Sequence, residues 1–437
     1  MYRYYPLILA QTYLTITVVL FFFGAFEWQG INMPLLGLYL ALYQLALFTG
    51  YIAGLTRFPT VVTNFNVNAW FKFSLSASLI LIIPYIYVYT GKYPWEAWQA
   101  LGDQGGAFLS YYDQLAEERT PGRIAVMLMR TIFSPALIAL LPLFFWTKRL
   151  SLSWKIMFFI YIILYFSFSA LRGTDKESAD FFIFMFCGLF ALLTVRKLKG
   201  QFKLSMTKKL LLIVLIIFSF LLTYSIFTER KMARLGGDDK VCLVAADVCA
   251  DMDSGFISSL DEKDKFGISI ATMYLSLGYY GMGLALNEEF ESTFGLGHSI
   301  FISNSVQNII DTNWLDDRAY TSKVTNSGWD AKVYWVTTYT WLANDVGFFG
   351  VALIIFVIGF LFSRAWSGII YAGDPVALIV FSQLFMMIFY FPAFNVVMQN
   401  VDSYFSLVFW LFVWLLGSLP SLKGMFQKKR NLFSLNR

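Results

Sequence analysis

The amino-acid sequence predicts an all-α polytopic membrane protein with about ten transmembrane helices and a large, partly helical outer region. Of its 437 residues, 58% are hydrophobic, 19% are aromatic and only 14% are charged. Soluble domains carry roughly 45–50% apolar and about 25% charged residues, so a chain this apolar needs lipid as its solvent. The composition therefore excludes a soluble multidomain enzyme, a disordered protein and a disulfide scaffold.

The apolar stretches are long enough to cross a bilayer, which takes about 20 predominantly apolar residues per helix. No small-residue cleavage site follows the first stretch, so we interpret it as an uncleaved helix and not as a signal peptide. The sixth stretch is short for a membrane span. The predicted spans are residues 6–26, 34–55, 69–90, 124–146, 154–171, 180–195, 208–228, 347–363, 374–392 and 403–420.

The basic residues set the orientation, because cytoplasmic loops carry an excess of Lys and Arg. With the N-terminus inside, the cytoplasmic segments hold 18 of the 33 basic residues but only one of the 28 acidic residues, Asp374. The two sides then carry net charges of +17 and −12. The sequence therefore predicts cytoplasmic N- and C-termini.

The chain divides at its long loops. Residues 1–228 hold spans one to seven and the Gly- and acid-rich outer loop 91–123, and residues 347–420 hold the last three spans. Between them lies an outer region, 229–346, and a basic cytoplasmic tail follows at 421–437. Within the outer region, segment 268–286 is apolar, Gly-rich and aromatic, which predicts either an interfacial helix or a pair of short re-entrant helices.

Two arginines lie near the predicted depth of the outer lipid phosphates. Arg130 is inside the outer end of the fourth span, where it either extends to the headgroups or binds phosphate. Arg172 opens the short turn after the fifth span, and its planar guanidinium can hold a phosphate through two hydrogen bonds. Alternatively, Arg172 pairs with Asp175 or Glu177 and caps the helix that begins near Ser178.

The outer region contains the only histidine of the chain, His298, within a Gly-rich segment. A lone histidine is structural more often than catalytic. Because histidine titrates near neutral pH, His298 is also a candidate general base. Both interpretations stay open from the sequence.

Further along, Asp330, Tyr334, Thr338 and Trp341 share one face if this segment is helical. A carboxylate, hydroxyls and an indole on one face would suit a sugar site, since aromatic rings stack on pyranose faces. An interfacial aromatic belt is the alternative explanation.

The sequence predicts no metal and no cofactor. It has no Gly-rich phosphate loop with a Lys and no zinc motif, and one histidine cannot complete a zinc site. Asp251 to Glu262 has acids at the ends of a calcium loop, but Phe256 takes the place of the required glycine. Cys242 and Cys249 both lie in the outer region, where they could form a small disulfide.

Three segments resemble Wzy-type repeat-unit polymerases, the membrane enzymes that assemble O-antigens and related surface polysaccharides. The resemblance covers roughly a third of the chain, and the flanking hydropathy fits the remainder. The segments are Arg172-Gly173-Thr174 entering an aromatic helix, Tyr274 to Gly281 with Gly295 to Ser299, and Trp329 to Trp341 with Asp345 to Phe348.

The resemblance implies a GT-C-like membrane glycosyltransferase in the bacterial inner membrane, with its active site on the periplasmic side. The donor and the acceptor would both be glycans linked to undecaprenyl diphosphate, and block transfer would need neither nucleotide nor metal. Besides the lipid bilayer, expected partners are a Wzz-like chain-length regulator and a flippase, with no role for nucleic acid.

For this reaction, cations must stabilise the leaving diphosphate and a base must accept a proton from the acceptor hydroxyl. The predicted catalytic residues are Arg172, Asp175, His298 and Asp330, of which the last three are alternative bases. The predicted ligands of the diphosphate or the sugars are Arg130, Arg318, Lys332, Tyr334, Trp335 and Trp341.

Two other functions stay open. An O-antigen ligase would use the same donor and an outer-face site but transfer the glycan to the lipid A core, and His298 does not separate it from a polymerase. A flippase or secondary transporter usually has related halves and charged residues near the middle of the membrane. This sequence shows neither feature.

Overall fold

The chain is an all-α polytopic membrane protein in its computed structural model. The structure describes residues 1–55, 65–116, 120–201, 214, 221, 224–232, 241–243, 248–253, 257–310, 312–331, 333–394 and 396–417. Predictions that concern span 208–228, Phe256, Lys332 or the tail 421–437 fall wholly or mainly outside these residues.

The described residues of the first part of the chain are mainly helical. Its helices are α1 (Tyr5–Phe23), α2 (Met33–Gly54), α3 (Val67–Thr90), α4 (Ala97–Gly102), α5 (Gln104–Ala116), α6 (Pro121–Phe144), α7 (Leu152–Leu171) and α8 (Lys176–Leu198). The loop predicted at 91–123 therefore contains α4, α5 and the start of α6. Residues 224–232 are also helical.

The second part has two short strands, β1 (Cys242–Leu243) and β2 (Val248–Cys249), which pair antiparallel with Cys242 opposite Cys249. A disulfide joins these two cysteines. The helices that follow are α9 (Glu262–Ala285), α10 (Ile300–Ile310), α11 (Trp314–Arg318), α12 (Tyr320–Lys323), α13 (Thr338–Ser367), α14 (Pro375–Phe389), α15 (Val396–Gln399) and α16 (Val401–Gly417).

Among the described residues, seven helices are long and apolar enough to cross a membrane, and α14 and α16 are shorter apolar helices. All nine correspond to predicted spans. The sixth span, predicted as short, is the 23-residue helix α8. Its first turn carries the charged residues Lys176 and Glu177, which the sequence analysis assigned to the preceding turn.

The eighth span begins earlier than predicted, at Thr338 instead of residue 347. The Thr337 side chain accepts a hydrogen bond from the backbone N–H of Thr340 and thereby caps the new N-terminus. Inside α13, Gly347 interrupts the helical backbone with φ 69° and ψ 164°. The first turns of α13, up to Val346, are therefore set at an angle to the rest of the helix.

Segment 268–286 does not form a pair of short re-entrant helices, because it lies in the single continuous helix α9. This helix packs against α1, where the hydroxyls of Tyr279 and Thr17 lie 2.9 Å apart. Its glycines provide close contacts instead of breaks. A Cβ at Gly278 would lie 2.3 Å from the carbonyl oxygen of Pro392, and one at Gly281 would lie 2.5 Å from Val336.

Helices α2 and α13 approach each other closely through glycines. A Cβ at Gly50 would lie 2.0 Å from the carbonyl oxygen of Phe356, and one at Gly54 would lie 2.6 Å from that of Phe360. From the other side, Gly359 faces the carbonyl oxygen of Leu47 in the same manner. The spacing of Gly50 and Gly54 is the small-residue pattern that lets membrane helices pack backbone to backbone.

Candidate active site

His298 lies in a tight loop between α9 and α10. The loop contains two residues with left-handed backbone, Phe294 with φ 55° and Gly295 with φ 84°. In this loop three backbone N–H groups point toward one carboxylate. Gly295 and Gly297 donate to Oδ1 of Asp345 at 3.0 and 2.9 Å, and His298 donates to Oδ2 at 3.2 Å.

Asp345 lies on the first part of α13 and holds the histidine ring as well as the loop. Its Oδ2 lies 2.9 Å from Nδ1 of His298, and the hydroxyl of Thr293 donates to Oδ1. The carboxylate accepts hydrogen bonds, so we assign the proton of this pair to Nδ1. Nε2 is then the basic nitrogen.

Nε2 of His298 lies 3.0 Å from the hydroxyl of Tyr404, on the first turn of α16. The side chains of His298 and Asp345 are 16% and 8% exposed, so the carboxylate is buried while the ring still reaches solvent. The three side chains form a linear series, from carboxylate to imidazole to phenol. An oriented, partly accessible imidazole of this kind can accept a proton from a bound hydroxyl.

The histidine loop is also attached to α13 through main-chain carbonyls that lie just before the interruption at Gly347. The carbonyl oxygen of Asn344 accepts from the backbone N–H of Thr293 at 3.0 Å, and that of Asp345 accepts from the Ser292 hydroxyl at 2.7 Å. These two carbonyls lie just before the residue at which the helical backbone is broken. The loop and the start of α13 are thus joined through both main chain and side chains.

Arg130 is paired with a carboxylate that the sequence analysis had not assigned to a site. Its Nε donates to Asp402, which also accepts from the hydroxyl of Thr131 at 3.1 Å. The guanidinium carbon lies 3.5 Å from the ring centre of Tyr85, a cation–π contact. Asp402 and Tyr404 both lie near the start of α16, so this helix links Arg130 to the histidine.

Arg172 pairs with Glu177, one of the two carboxylates that the sequence analysis gave as its alternative partners. Glu177 also accepts from Thr174 at 3.0 Å, and the guanidinium of Arg172 lies over the ring of Tyr111 at 4.4 Å. Asp175, a predicted base, instead forms ion pairs with cations from the helical segment 224–232. Those cations are Arg230 at 2.7 Å and Lys231 at 3.3 Å.

These groups lie at one end of the helices, which we call the site end. Arg172 follows the C-terminus of α7, and Glu177 lies in the first turn of α8. Asp345 and Asp402 lie near the N-termini of α13 and α16, and Arg130 lies in the third turn of α6. The predicted orientation, with alternating spans, puts all five at the non-cytoplasmic face.

The predicted shared face of Asp330, Tyr334, Thr338 and Trp341 is wrong, because no continuous helix connects these residues. Gly328, with φ 78°, ends the preceding 3-10 helix, and the next helix begins only at Thr338. The aromatic residues between them make packing contacts. Tyr334 stacks on the fully buried Trp329 at 4.7 Å, and Trp335 contacts Tyr274 at 5.0 Å.

Trp341 is buried, and its indole N–H has no hydrogen-bond partner among the described residues. It lines a small pocket next to the histidine loop. The lining also provides a carboxylate, three hydroxyls and an amide, from Asp316, Ser303, Thr321, Ser322 and Asn304. This polar lining adjoins Gly297, immediately before His298.

Arg318 also lies beside the histidine loop. Its Nη1 lies 3.4 Å from the carbonyl oxygen of Ser292, and its guanidinium lies over Trp314 and Phe294. Nearby, a hydrogen bond from Lys323 lowers the pKa of the Glu291 carboxyl below its ordinary value. Burial raises the pKa of Tyr320 to about 12.

Within the described residues, no three His, Cys, Asp or Glu side chains come close enough together to hold a metal ion. The site end therefore offers an oriented imidazole, two arginines and a polar pocket. Asp345 and Tyr404 were missed by the sequence analysis. Comparisons with protein-family models, curated proteins and solved structures found no match to this chain.

Proposed function

We propose that this protein is a GT-C-like membrane glycosyltransferase that polymerises oligosaccharide repeat units linked to undecaprenyl diphosphate. The product would be an O-antigen or a similar surface polysaccharide, made at the periplasmic face of the bacterial inner membrane. The observation that carries this proposal is the pair of Asp345 and His298 at the same helix ends as Arg130 and Arg172.

In this reaction His298 acts as the general base. Nε2 accepts the proton of the acceptor hydroxyl, and the carboxylate of Asp345 stabilises the imidazolium that forms. The acceptor hydroxyl replaces the hydroxyl of Tyr404 next to Nε2. Positioned bases of this type contribute rate factors of about 10²–10⁴. We therefore choose His298 as the base instead of Asp175, which is paired with two cations, or Asp330.

The acceptor oxygen forms a bond to the anomeric carbon of the donor while the bond from that carbon to the diphosphate oxygen breaks. The diphosphate leaves with the electron pair, and its new charge needs cations. Arg172 and Arg130 have this role, and Arg318 lies close to the histidine loop for the same purpose. No step requires a metal or a nucleotide.

The small polar pocket beside Gly297, where the indole N–H of Trp341 has no partner among the described residues, would take a single hydroxyl at the edge of a bound sugar. The lipid chains of donor and acceptor would lie against exposed apolar side chains of α6, such as Leu128 and Ile132. A flippase would supply the substrates and a Wzz-like regulator would set the chain length.

An O-antigen ligase is the second candidate, because an oriented histidine would serve equally well for transfer to the lipid A core. The two activities differ in their acceptors. Loss of a polymerase leaves single repeat units on the core, whereas loss of a ligase leaves the core bare.

The test is a gel of lipopolysaccharide from the native bacterium after deletion of the gene. We expect a single-unit band that becomes a ladder again when a plasmid copy is supplied. Plasmids encoding His298→Ala and Arg172→Ala should not restore the ladder, although the protein is present in the membrane. Glu291→Gln, which removes an exposed outer carboxylate, should restore it.

Wild-type polymer in the Arg172→Ala strain would contradict the proposal. A bare core in the deletion strain would establish the ligase instead. An unchanged ladder after deletion would exclude both functions for this polysaccharide.

A further inference from the structure

Each of the two arginines at the site end already has an anionic partner within the protein. Arg130 pairs with Asp402, and Arg172 pairs with Glu177. Each carboxylate is held in place by a neighbouring threonine hydroxyl, Thr131 in the first pair and Thr174 in the second. An external anion can therefore reach either guanidinium only by sharing it with a carboxylate or by replacing that carboxylate.

The two pairs belong to one aromatic cluster. The ring of Tyr85 lies against Arg130 at 3.5 Å and against Phe168 at 4.9 Å, and Phe168 in turn lies 5.2 Å from the guanidinium of Arg172. The two cations thus lie on either side of a pair of aromatic rings, and we infer that an anion with two phosphoryl groups is better able to contact both of them than a single phosphate is.

The guanidinium groups have donors left for such an anion. Arginine has five N–H groups in a planar fork, of which one carboxylate uses at most two. The buried Nε of Arg172 has no hydrogen-bond partner among the described residues. The Arg130–Asp402 pair is accessible, with side chains 31% and 26% exposed, whereas the Arg172–Glu177 pair is more enclosed at 16% and 8%.

We propose that Glu177 and Asp402 are internal counter-ions, which neutralise Arg172 and Arg130 until a diphosphate displaces them. Binding of the diphosphate is then an exchange of one anion for another. The carboxylates keep two cations compensated at the edge of the membrane when no substrate is bound, because an unpaired buried charge is costly. Their presence also lowers the affinity for the diphosphate, so that it can leave after transfer.

This inference rests on the proposed function for the identity of the diphosphate, but its test does not require activity. Affinity would be measured by calorimetry on the purified full-length protein in detergent. The probes are inorganic pyrophosphate, farnesyl diphosphate and, as the single-phosphate control, inorganic phosphate. The variants are Glu177→Gln and Asp402→Asn, which keep the size of each side chain and remove its charge.

We expect each variant to bind diphosphate about fivefold more tightly than the unmodified protein, the upper range for removal of a competing partly exposed ion pair. Inorganic phosphate should gain less. Adding Arg172→Ala to Glu177→Gln should abolish the gain. The matched control is Glu262→Gln, which removes an exposed carboxylate paired with Lys265 at 3.3 Å and should leave the affinity unchanged.

A gain with both diphosphates supports a site for the diphosphate group itself, and a gain with farnesyl diphosphate alone supports a lipid-borne one. Unchanged or weaker binding in both variants overturns the proposal, since the carboxylates would then orient the arginines for the anion. Gel filtration and circular dichroism identify a variant that has lost its fold. In that case the variant of the other arginine–carboxylate pair tests the proposal.

The two proposals fail separately. If the variants bind diphosphate more tightly but deletion of the gene leaves the polysaccharide unchanged, the exchange stands and the polymerase assignment fails. If Arg172→Ala abolishes polymer while neither carboxylate variant changes the affinity, the reverse holds.

Discussion

At the residue scale, the proposed reaction depends on one carboxylate. The carboxylate of Asp345 accepts a hydrogen bond from Nδ1–H of His298 and, through the same two oxygens, hydrogen bonds from three backbone N–H groups of the loop. In Asp345→Asn the amide can keep part of the loop contacts but no longer stabilises an imidazolium. We expect transfer to fall about 100-fold or more, the lower range for loss of general-base catalysis.

The measurement is the initial rate of polymer formation by purified protein on lipid-linked repeat units, with circular dichroism as the check on folding. A rate within twofold of that of the unmodified protein would contradict a catalytic role for the Asp345–His298 pair. The proposed base would then be wrong, whatever the gel of lipopolysaccharide shows.

Tyr404→Phe is the matched change on the other side of the imidazole. Its hydroxyl occupies the position next to Nε2 that the acceptor hydroxyl takes in the proposed reaction. Because only one neutral hydrogen bond is lost, we expect the rate in the same assay to change by no more than about fivefold. A loss as large as that of Asp345→Asn would instead make the phenol part of the proton transfer.

The sequence identified some of these residues and not others, for a physical reason. His298 and the two arginines are conspicuous in the sequence. His298 is the only histidine of the chain, and the arginines are cations near the ends of apolar stretches. Asp345 and Tyr404 are ordinary in theirs, and only the folded chain brings them to the histidine across 47 and 106 residues. A carboxylate directly before a span was the one available signal for Asp345.

At the scale of elements, the close contact between α2 and α13 makes a test of packing. Gly50→Val would place a side chain where a Cβ alone would lie 2.0 Å from a backbone oxygen of Phe356. Backbone cannot move as a flexible side chain can, so we expect destabilisation of about 1–3 kcal/mol, as for overpacked cores. The measurement is the midpoint of thermal unfolding in detergent.

Gly37→Ala, in the same helix, is the control. Its Cβ would meet only Phe22, at an ordinary contact distance of 3.6 Å. Since alanine favours a helix over glycine by up to about 1 kcal/mol, this variant should be as stable as the original or more so. Equal losses in both variants would mean that the α2–α13 contact is not specifically close.

The elements themselves were predictable to different degrees. Hydropathy locates long apolar helices well, since each must satisfy its backbone hydrogen bonds internally. It fails where residues have a second use. The glycines of α9 suggested a break in the helix, but they allow close packing instead. The aromatic residues before α13 suggested one helical face, but Gly328 and the Thr337 cap divide that segment.

At the scale of the whole molecule, the chain must return from one end of the helices to the other between α8 and α13. Near the end of α8, Lys197 lies over Tyr2 at 5.4 Å. At its start, Asp180 accepts a hydrogen bond from Tyr390, whose carbonyl in turn accepts one from Thr338 at the start of α13. The sequence assigns this return to span 208–228.

Reporter fusions test this arrangement and the orientation together. Green fluorescent protein fused after Gly200 should fluoresce, and alkaline phosphatase fused there should be inactive, because the basic run beside it is predicted to be cytoplasmic. After Glu291 the results should be reversed. The same result at both positions would contradict the predicted seventh span. Exchanged results would show that the orientation is the reverse of the predicted one.

The interruption of α13 at Gly347 has a consequence for motion. The nine residues Thr338–Val346 are attached to the histidine loop by several hydrogen bonds, but they are joined to the rest of α13 through a single non-helical residue. If the site end opens to admit the two lipid-linked substrates of the proposed reaction, Gly347 is the expected hinge. Asp345 and His298 lie together on the moving side, so the bond between them can survive each opening and closing.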